Sequence, residues 1–275
     1  MTSLSGKLDP VVRPITAADV VEALGQGARD FQAQPLYGLG FAAVYVAGGL
    51  AVLACITVLG MSYLAYPLAA GFALIAPFVA GVFYEASRER ERGRAPTLAG
   101  LRRAVTSHNQ LGWMAFVTVF IFLMWMYQVR FLMALFLGLH ASFTTLQQFI
   151  DVVLNTNEGL MFLAVGNLIG AALSALLFSL TVVSFPLLFD RDDVDFITAM
   201  ITSVRAVIAS PVPMLGWALT IVVVLVVSML PFFLGLLVAL PLLGHASWHL
   251  YRRVVEQMPQ PQAVAPQGLD QGRTT

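Results

Sequence analysis

His245 and His249, in the stretch LPLLGHASWHLYRR (residues 240–253), stand four residues apart and share one face of any helix that carries them. Two imidazoles at that spacing reach a single metal ion. Zinc, however, takes three or four protein ligands, and no further ligand stands nearby in sequence. Haem bound across two helices needs an axial ligand from each, which a pair on one face does not supply. Of the other histidines, His108 falls on the same side of the expected bundle and His140 on the far side. The competing reading places the pair where a helix leaves a membrane, among the interface anchors Trp248, Tyr251, Arg252 and Arg253. The missing ligands favour this second reading, and no cofactor is expected.

A second group of candidates is the acidic run FDRDDVDF, with Asp190, Asp192, Asp193 and Asp195. Several carboxylates can bind a hard cation, but an EF-hand loop counted from Asp190 needs Gly and Glu where Asp195 and Ile201 stand. The run fits better as a helix start, with Asp193 as the cap and the charges at the positive end of the helix. Arg130 follows Trp125, Tyr127 and Gln128 and is the lone cation on its side of the membrane. A cation within a span is a candidate for function; at a span end it snorkels or pairs, here with Asp151 or Glu158. Asn167 leads the main polar series of the spans, with Ser174, Ser179, Thr181 and Ser184. Glu85 and Arg88 are helix neighbours and can pair. GLGFAA (38–43) resembles a dinucleotide fingerprint in outline but lacks a preceding strand. GxSxG, HExxH and Walker A motifs are missing. These residues point away from an enzyme.

The elements carrying these residues belong to a membrane. Of 275 residues, 59% are hydrophobic and 11% charged, against about 25% charged in soluble domains. Six spanning helices are expected, at about 36–59, 62–85, 111–130, 161–188, 213–230 and 232–250. Very short turns follow the first and fifth. Lys7, Arg13 and Arg29, the arginines at 88–103, then Arg191, Arg205, Arg252, Arg253 and Arg273 all fall on one side, which puts both termini in the cytoplasm. The N-terminus lacks the apolar core of a secretory signal, so the first span does the targeting. Zero net charge argues against a nucleic-acid partner, and Cys55, the single cysteine, forms no internal disulfide. The expected division is a tail over 1–14, a membrane domain over 15–255 and a disordered Pro- and Gln-rich tail over 256–275.

Three spans open with related triplets: Leu39-Gly40-Phe41, Leu111-Gly112-Trp113 and Leu215-Gly216-Trp217. Each follows a candidate surface helix. Thr16 caps the first, whose face carries Val20, Leu24 and Phe31; Val194, Ile197, Ile201, Val204 and Ile208 stripe the third. Arg29 matches Arg205 when Pro35 is laid on Pro211, and PLAAGFALIAP (67–77) echoes PFFLGLLVALP (231–241), pairing Arg88 with Arg252. The unit is a surface helix plus a spanning hairpin, repeated in parallel over about 15–87, 95–189 and 192–255. Pro67, Pro77, Pro186, Pro231 and Pro241 interrupt spans, and Gly166, Gly170 and Ser174 form a small-residue stripe.

The stretches GARDFQAQPLYGLGF, YPLAAGFALIAPFVAGVFYEASRERERG, FPLLFDRDDVDFITAMITSVRAV and LPLLGHASWHLYRR resemble a bacterial inner-membrane family, domain of unknown function 2189, over about residues 15–255. Some of its members are described as related to cytochrome c oxidase subunit I, whose distributed haem and copper histidines this sequence lacks. The resemblance implies the fold and the inner-membrane location, and no established chemistry. The expectation is an all-α six-helix bundle in contact with lipid, of undefined oligomeric state. It binds or assembles with a membrane-protein partner, a lipid or a small solute. The alternatives are a small-solute transporter or channel, and a metal- or haem-binding subunit using His245 and His249.

Overall fold

Thr16 and Asp19 form a capping box: the Thr16 hydroxyl accepts from the Asp19 amide, and the Asp19 carboxylate accepts from the Thr16 amide at 2.8 Å. Helix α1 (Ala17–Ala33) starts there. It stops at Gln34 because Pro35 cannot continue the ladder, and Pro35 opens α2 (Pro35–Thr57). The computed structural model describes residues 9–58, 79–97, 99–100, 109–138 and 146–256. Further helices follow: α3 (79–91), α4 (Asn109–Phe136), α5 (Leu146–Asn155), α6 (Asn157–Thr181), α7 (Ser184–Asp190), α8 (Phe196–Ala209), α9 (Pro211–Met229) and α10 (Leu236–Val254).

Among the described residues, four stretches are long and apolar enough to cross a membrane: Pro35–Cys55, Gly112–Phe136, Asn157–Asp190 and Pro211–Met229. They match the first, third, fourth and fifth expected spans. Most of the expected second span, residues 62–78, lies outside the described residues. The expected sixth corresponds to α10, whose polar second half separates it from those four. It follows a tight turn in which Phe232 and Phe233 have φ of 50° and 64°, a left-handed conformation costly for bulky side chains. The third span runs six residues further than expected, to Phe136, so Arg130 lies within it and not at its end. Helix α6 breaks at Val182–Val183 ahead of Pro186, and Ser203 Oγ accepts the Val183 amide at 3.1 Å. The surface helix expected before the third span, His108, His140 and the tail beyond Glu256 fall mainly or wholly outside the described residues.

The core sits at one end of the spans. Trp217, Trp248, Tyr251, Phe189, Leu187, Met114 and Met214 are fully buried where α1, α7, α8, α10 and the first turns of α4 and α9 converge. Along the spans the apolar side chains point outward, as lipid requires. α1 and α10 run antiparallel: Asp19 pairs with Arg253 at 3.0 Å, and Gly27 meets Ala246. A Cβ at Gly27 would lie 2.6 Å from the Ala246 nitrogen and 2.9 Å from its Cα, so only glycine permits this approach. The N-terminal segment crosses this end as well, with Arg13 N donating to Val254 O at 2.7 Å and Glu256 N to Val11 O at 2.9 Å.

α1 and α8 share a pattern. Three buried positions correspond: Ala23, Gly27 and Asp30 on α1 fall at the same offset as Ala199, Ser203 and Ala206 on α8, while Val20 is buried on α1 and Thr202 on α8 without a buried counterpart. The linking residues have nearly one backbone conformation, φ −142° and ψ 57° at Gln34 and φ −143° and ψ 63° at Ser210. The isoleucine stripe of α8 faces outward: Ile197, Ile201 and Ile208 are exposed, while Val194 is buried ahead of the helix. Small residues pack against the protein, and the isoleucines of the expected stripe lie on the outer surface of α8.

Gly27→Leu is expected to lower stability by about 1–3 kcal/mol through overpacking against Ala246. Gly40→Ala, where a Cβ meets nothing within 4 Å, is expected to leave stability unchanged or slightly raised. Thermal unfolding of the two variants in detergent, followed by circular dichroism, checks both.

Candidate functional site

Asp30 is the one acid on the buried face of α1, and it is 8% exposed. Its Oδ2 accepts from Ser87 Oγ of α3 at 2.6 Å and from His249 Nε2 of α10 at 2.7 Å. Arg90 Nε lies 3.3 Å from Oδ1, and the same guanidinium donates to the Arg29 carbonyl at 3.0 Å, at the negative end of α1. Ser87 also lies 2.7 Å from His245 Nδ1. A hydroxyl has one proton. Since Ser87 gives it to Asp30, His245 donates from Nδ1, which assigns the tautomer. The chain of donors thus runs from His245 through Ser87 to Asp30, and His249 donates to the same oxygen.

Burial alone raises a carboxylic acid's pKa. At Asp30 the opposing hydrogen bonds from His249 and Ser87, with the nearby imidazoles, more than offset burial and hold it below its ordinary value of 3.8. Asp30 is therefore an anion that three helices are arranged to neutralise.

Glu91 links this cluster to a second one. It accepts from Trp248 Nε1 at 3.0 Å, pairs with Arg252 at 3.1 Å and lies 3.9 Å from His249 Nδ1. Arg252 lies 5.6 Å from the Trp248 ring centroid, a cation–π distance, and reaches Asp190 at 3.3 Å. Asp190 also accepts from Tyr251 at 2.8 Å and lies 3.6 Å from Arg88. Burial first, then the adjacent Asp190 charge, push the Tyr251 phenol well above its ordinary value and keep it protonated. Arg88 pairs with Glu85 at 3.2 Å, the expected neighbour pair. Around these groups lies a cleft of about 450 Å³, lined by Arg88, Arg92, Arg191 and Arg252 and by Glu91, Asp190, Asp193 and Glu256.

The sequence candidates are distributed as follows. His245 and His249 are held by Ser87 and Asp30, and each uses one ring nitrogen in doing so. Among the described residues no group of three or more His, Cys, Asp or Glu side chains is placed to hold a metal. Trp248 and Tyr251 are 0% and 2% exposed, so they are core residues and not interface anchors. Asp190 lines the cleft. Asp193 pairs with Arg191 and does not cap α8; Asp195 does, accepting the Thr198 amide at 2.8 Å. Asp192 is exposed in the turn between α7 and α8.

Arg130 is exposed, and among the described residues no ion pair joins it to Asp151 or Glu158; Gln147 contacts Asp151 at 3.3 Å. Asn167 donates to its own helix at Leu163 O, 2.7 Å. Gly166, Gly170 and Ser174 border a groove of about 340 Å³ facing Trp125 and Leu132, so the stripe is open there. Sequence reasoning passed over Asp30, Ser87 and Glu91. The available signal was an acid in register with Val20, Ala23 and Gly27 on a packing face.

Residues 65–190 match the family model described as a predicted integral membrane protein, DUF2189. The match covers Ser87, Arg88, Glu91 and Asp190 and stops short of α8–α10. Neither a curated protein nor a solved structure matches the chain. The family match and the four apolar helices make this an integral membrane protein.

Asp30→Asn is expected to cost about 1–3 kcal/mol at neutral pH by leaving buried donors poorly matched. Folding lowers the Asp30 pKa, so the unfolded chain takes up this proton first as pH falls. The stabilisation is complete above 3.8 and is lost as pH drops through the folded value below it. The stability gap between wild type and Asp30→Asn should therefore narrow on the acid side of pH 3.8, measured by unfolding across a pH series.

Proposed function

We propose that this protein is a non-enzymatic component of a bacterial inner membrane that binds a small charged solute at the arginine-lined cleft. The cleft carries the reading. Its volume is within the usual range for small-molecule sites, about 300–1,000 Å³. Its four arginines face four carboxylates, so the lining is balanced in charge and suits a zwitterion better than a simple anion or cation. The lining offers no Ser, Cys or His as a nucleophile or base.

The proposed framework is six spans in three parallel repeats, with both termini cytoplasmic. Its support is the shared burial pattern and linker conformation of α1–α2 and α8–α9, together with the arginine distribution. A transport path through the bundle has less support. The Asn167, Ser179 and Thr181 side chains donate to carbonyls four residues back on their own helix, and Ser184 donates across the helix break to Leu180 O, which leaves them little to offer a passing solute.

The test is thermal unfolding of the purified protein with glycine or β-alanine as zwitterions, inorganic phosphate as anion and ethylamine as cation. The zwitterions should raise the midpoint most. The stabilisation reaches about 2.7 kcal/mol at a hundredfold excess over Kd. Arg92→Gln should weaken that response while leaving the ligand-free midpoint near wild type, because among the described residues Arg92 pairs only along its own segment, with Glu89 at 3.2 Å. No shift with any probe, or an unchanged shift in Arg92→Gln, contradicts the cleft as the site.

A further inference from the structure

α8 is amphipathic in the opposite sense from a surface helix of a soluble protein. Its packing face is Ala199, Thr202, Ser203 and Ala206, all buried. Its outward face carries Ile197, Ile201 and Ile208, exposed by 53%, 46% and 72%. At 100° per residue these isoleucines and the exposed Arg205 fall in one stripe, opposite the small residues. In water that stripe is unfavourable. Its position in the fold indicates what covers it. One residue, Ser210, separates α8 from the spanning helix α9, and the outward face continues on α9 through Val212, Leu215 and Leu219, all more than half exposed. The α9 surface faces hydrocarbon, so the α8 stripe begins where the hydrocarbon ends.

Arg205 supplies the charge. Among the described residues no hydrogen bond or ion pair engages it. Its counterpart on α1, Arg29, is paired with Glu22 at 3.2 Å, and the outer face of α1 carries Glu22 and Gly25 where α8 has Thr198 and Ile201. The two helices therefore differ on their outer faces while their packing faces correspond.

We propose that α8 lies in the plane of the membrane, its isoleucine stripe buried in the leaflet, with Arg205 holding the phosphate of an anionic phospholipid. Apolar burial sets the depth, and the guanidinium holds phosphate oxygens in a bidentate fork; the net negative charge of the lipid, with no choline cation to repel the arginine, gives the preference over phosphatidylcholine. Lipid is chosen over a second copy of the chain because the stripe is continuous with a lipid-facing span.

The test reconstitutes the protein in phosphatidylcholine vesicles with and without phosphatidylglycerol. On a Cys55→Ser background, nitroxides are placed by Ile201→Cys and, separately, Ile208→Cys. Both labels should be relaxed strongly by oxygen and weakly by a water-soluble nickel chelate. Accessibility to the chelate, or dipolar broadening between labels on two copies, overturns the proposal. In native mass spectrometry Arg205→Gln should reduce the retained ratio of phosphatidylglycerol to phosphatidylcholine by about fivefold, the effect of one interfacial arginine. An unchanged ratio removes the assigned headgroup contact. Ile201, Arg205 and Ile208 are all exposed, so these variants retain the packing face.

Discussion

A carboxylate on the packing face of a helix has to be neutralised, and Asp30 imposes that requirement on this molecule. Removing a charge from water costs several kcal/mol unless partners replace the solvent. The partners here are Ser87, Arg90 and His249, on two further helices. Satisfying Asp30 therefore fixes α1, α3 and α10 relative to one another. Gly27 allows the backbones to approach closely enough for those hydrogen bonds to form. Glu91 extends the arrangement to Trp248 and Arg252, and from there to Asp190 and the cleft. The cleft inherits its geometry from the lock.

The location of the core follows from the solvent on each side. Within the bilayer, apolar side chains gain nothing by leaving lipid for protein, so the spans expose them and associate through small residues and polar contacts. Where the helices emerge, water restores the ordinary hydrophobic drive, and Trp217, Trp248, Tyr251 and Phe189 are buried there. Charged groups reach the same level and pair around that core. One end of the bundle consequently holds both the packed aromatic residues and the ion pairs.

Much of this was legible in the sequence. Runs of apolar residues located four spans, Thr16 marked the start of α1, and the Glu85–Arg88 spacing gave a real pair. The failures have physical causes. Asp193 and Asp195 are equivalent candidates for a cap by composition; Asp193 is drawn to Arg191, which leaves Asp195 at the helix start. Arg130 looked like a span boundary because a charge interrupts the run, whereas Phe131–Phe136 continue the helix beyond it. His245 and His249 find their partners 158 and 219 residues away in sequence. No local pattern announces contacts at that separation.

The coupling between Asp30 and His249 tests the lock most directly. A double-mutant cycle with Asp30→Asn, His249→Ala and the pair, read by unfolding in detergent at neutral pH, isolates their interaction. Strong non-additivity is expected, on the order of 1–3 kcal/mol, with the double variant losing much less than the sum of the single losses. Additivity within about 0.5 kcal/mol would mean that the two residues do not hold α1 against α10.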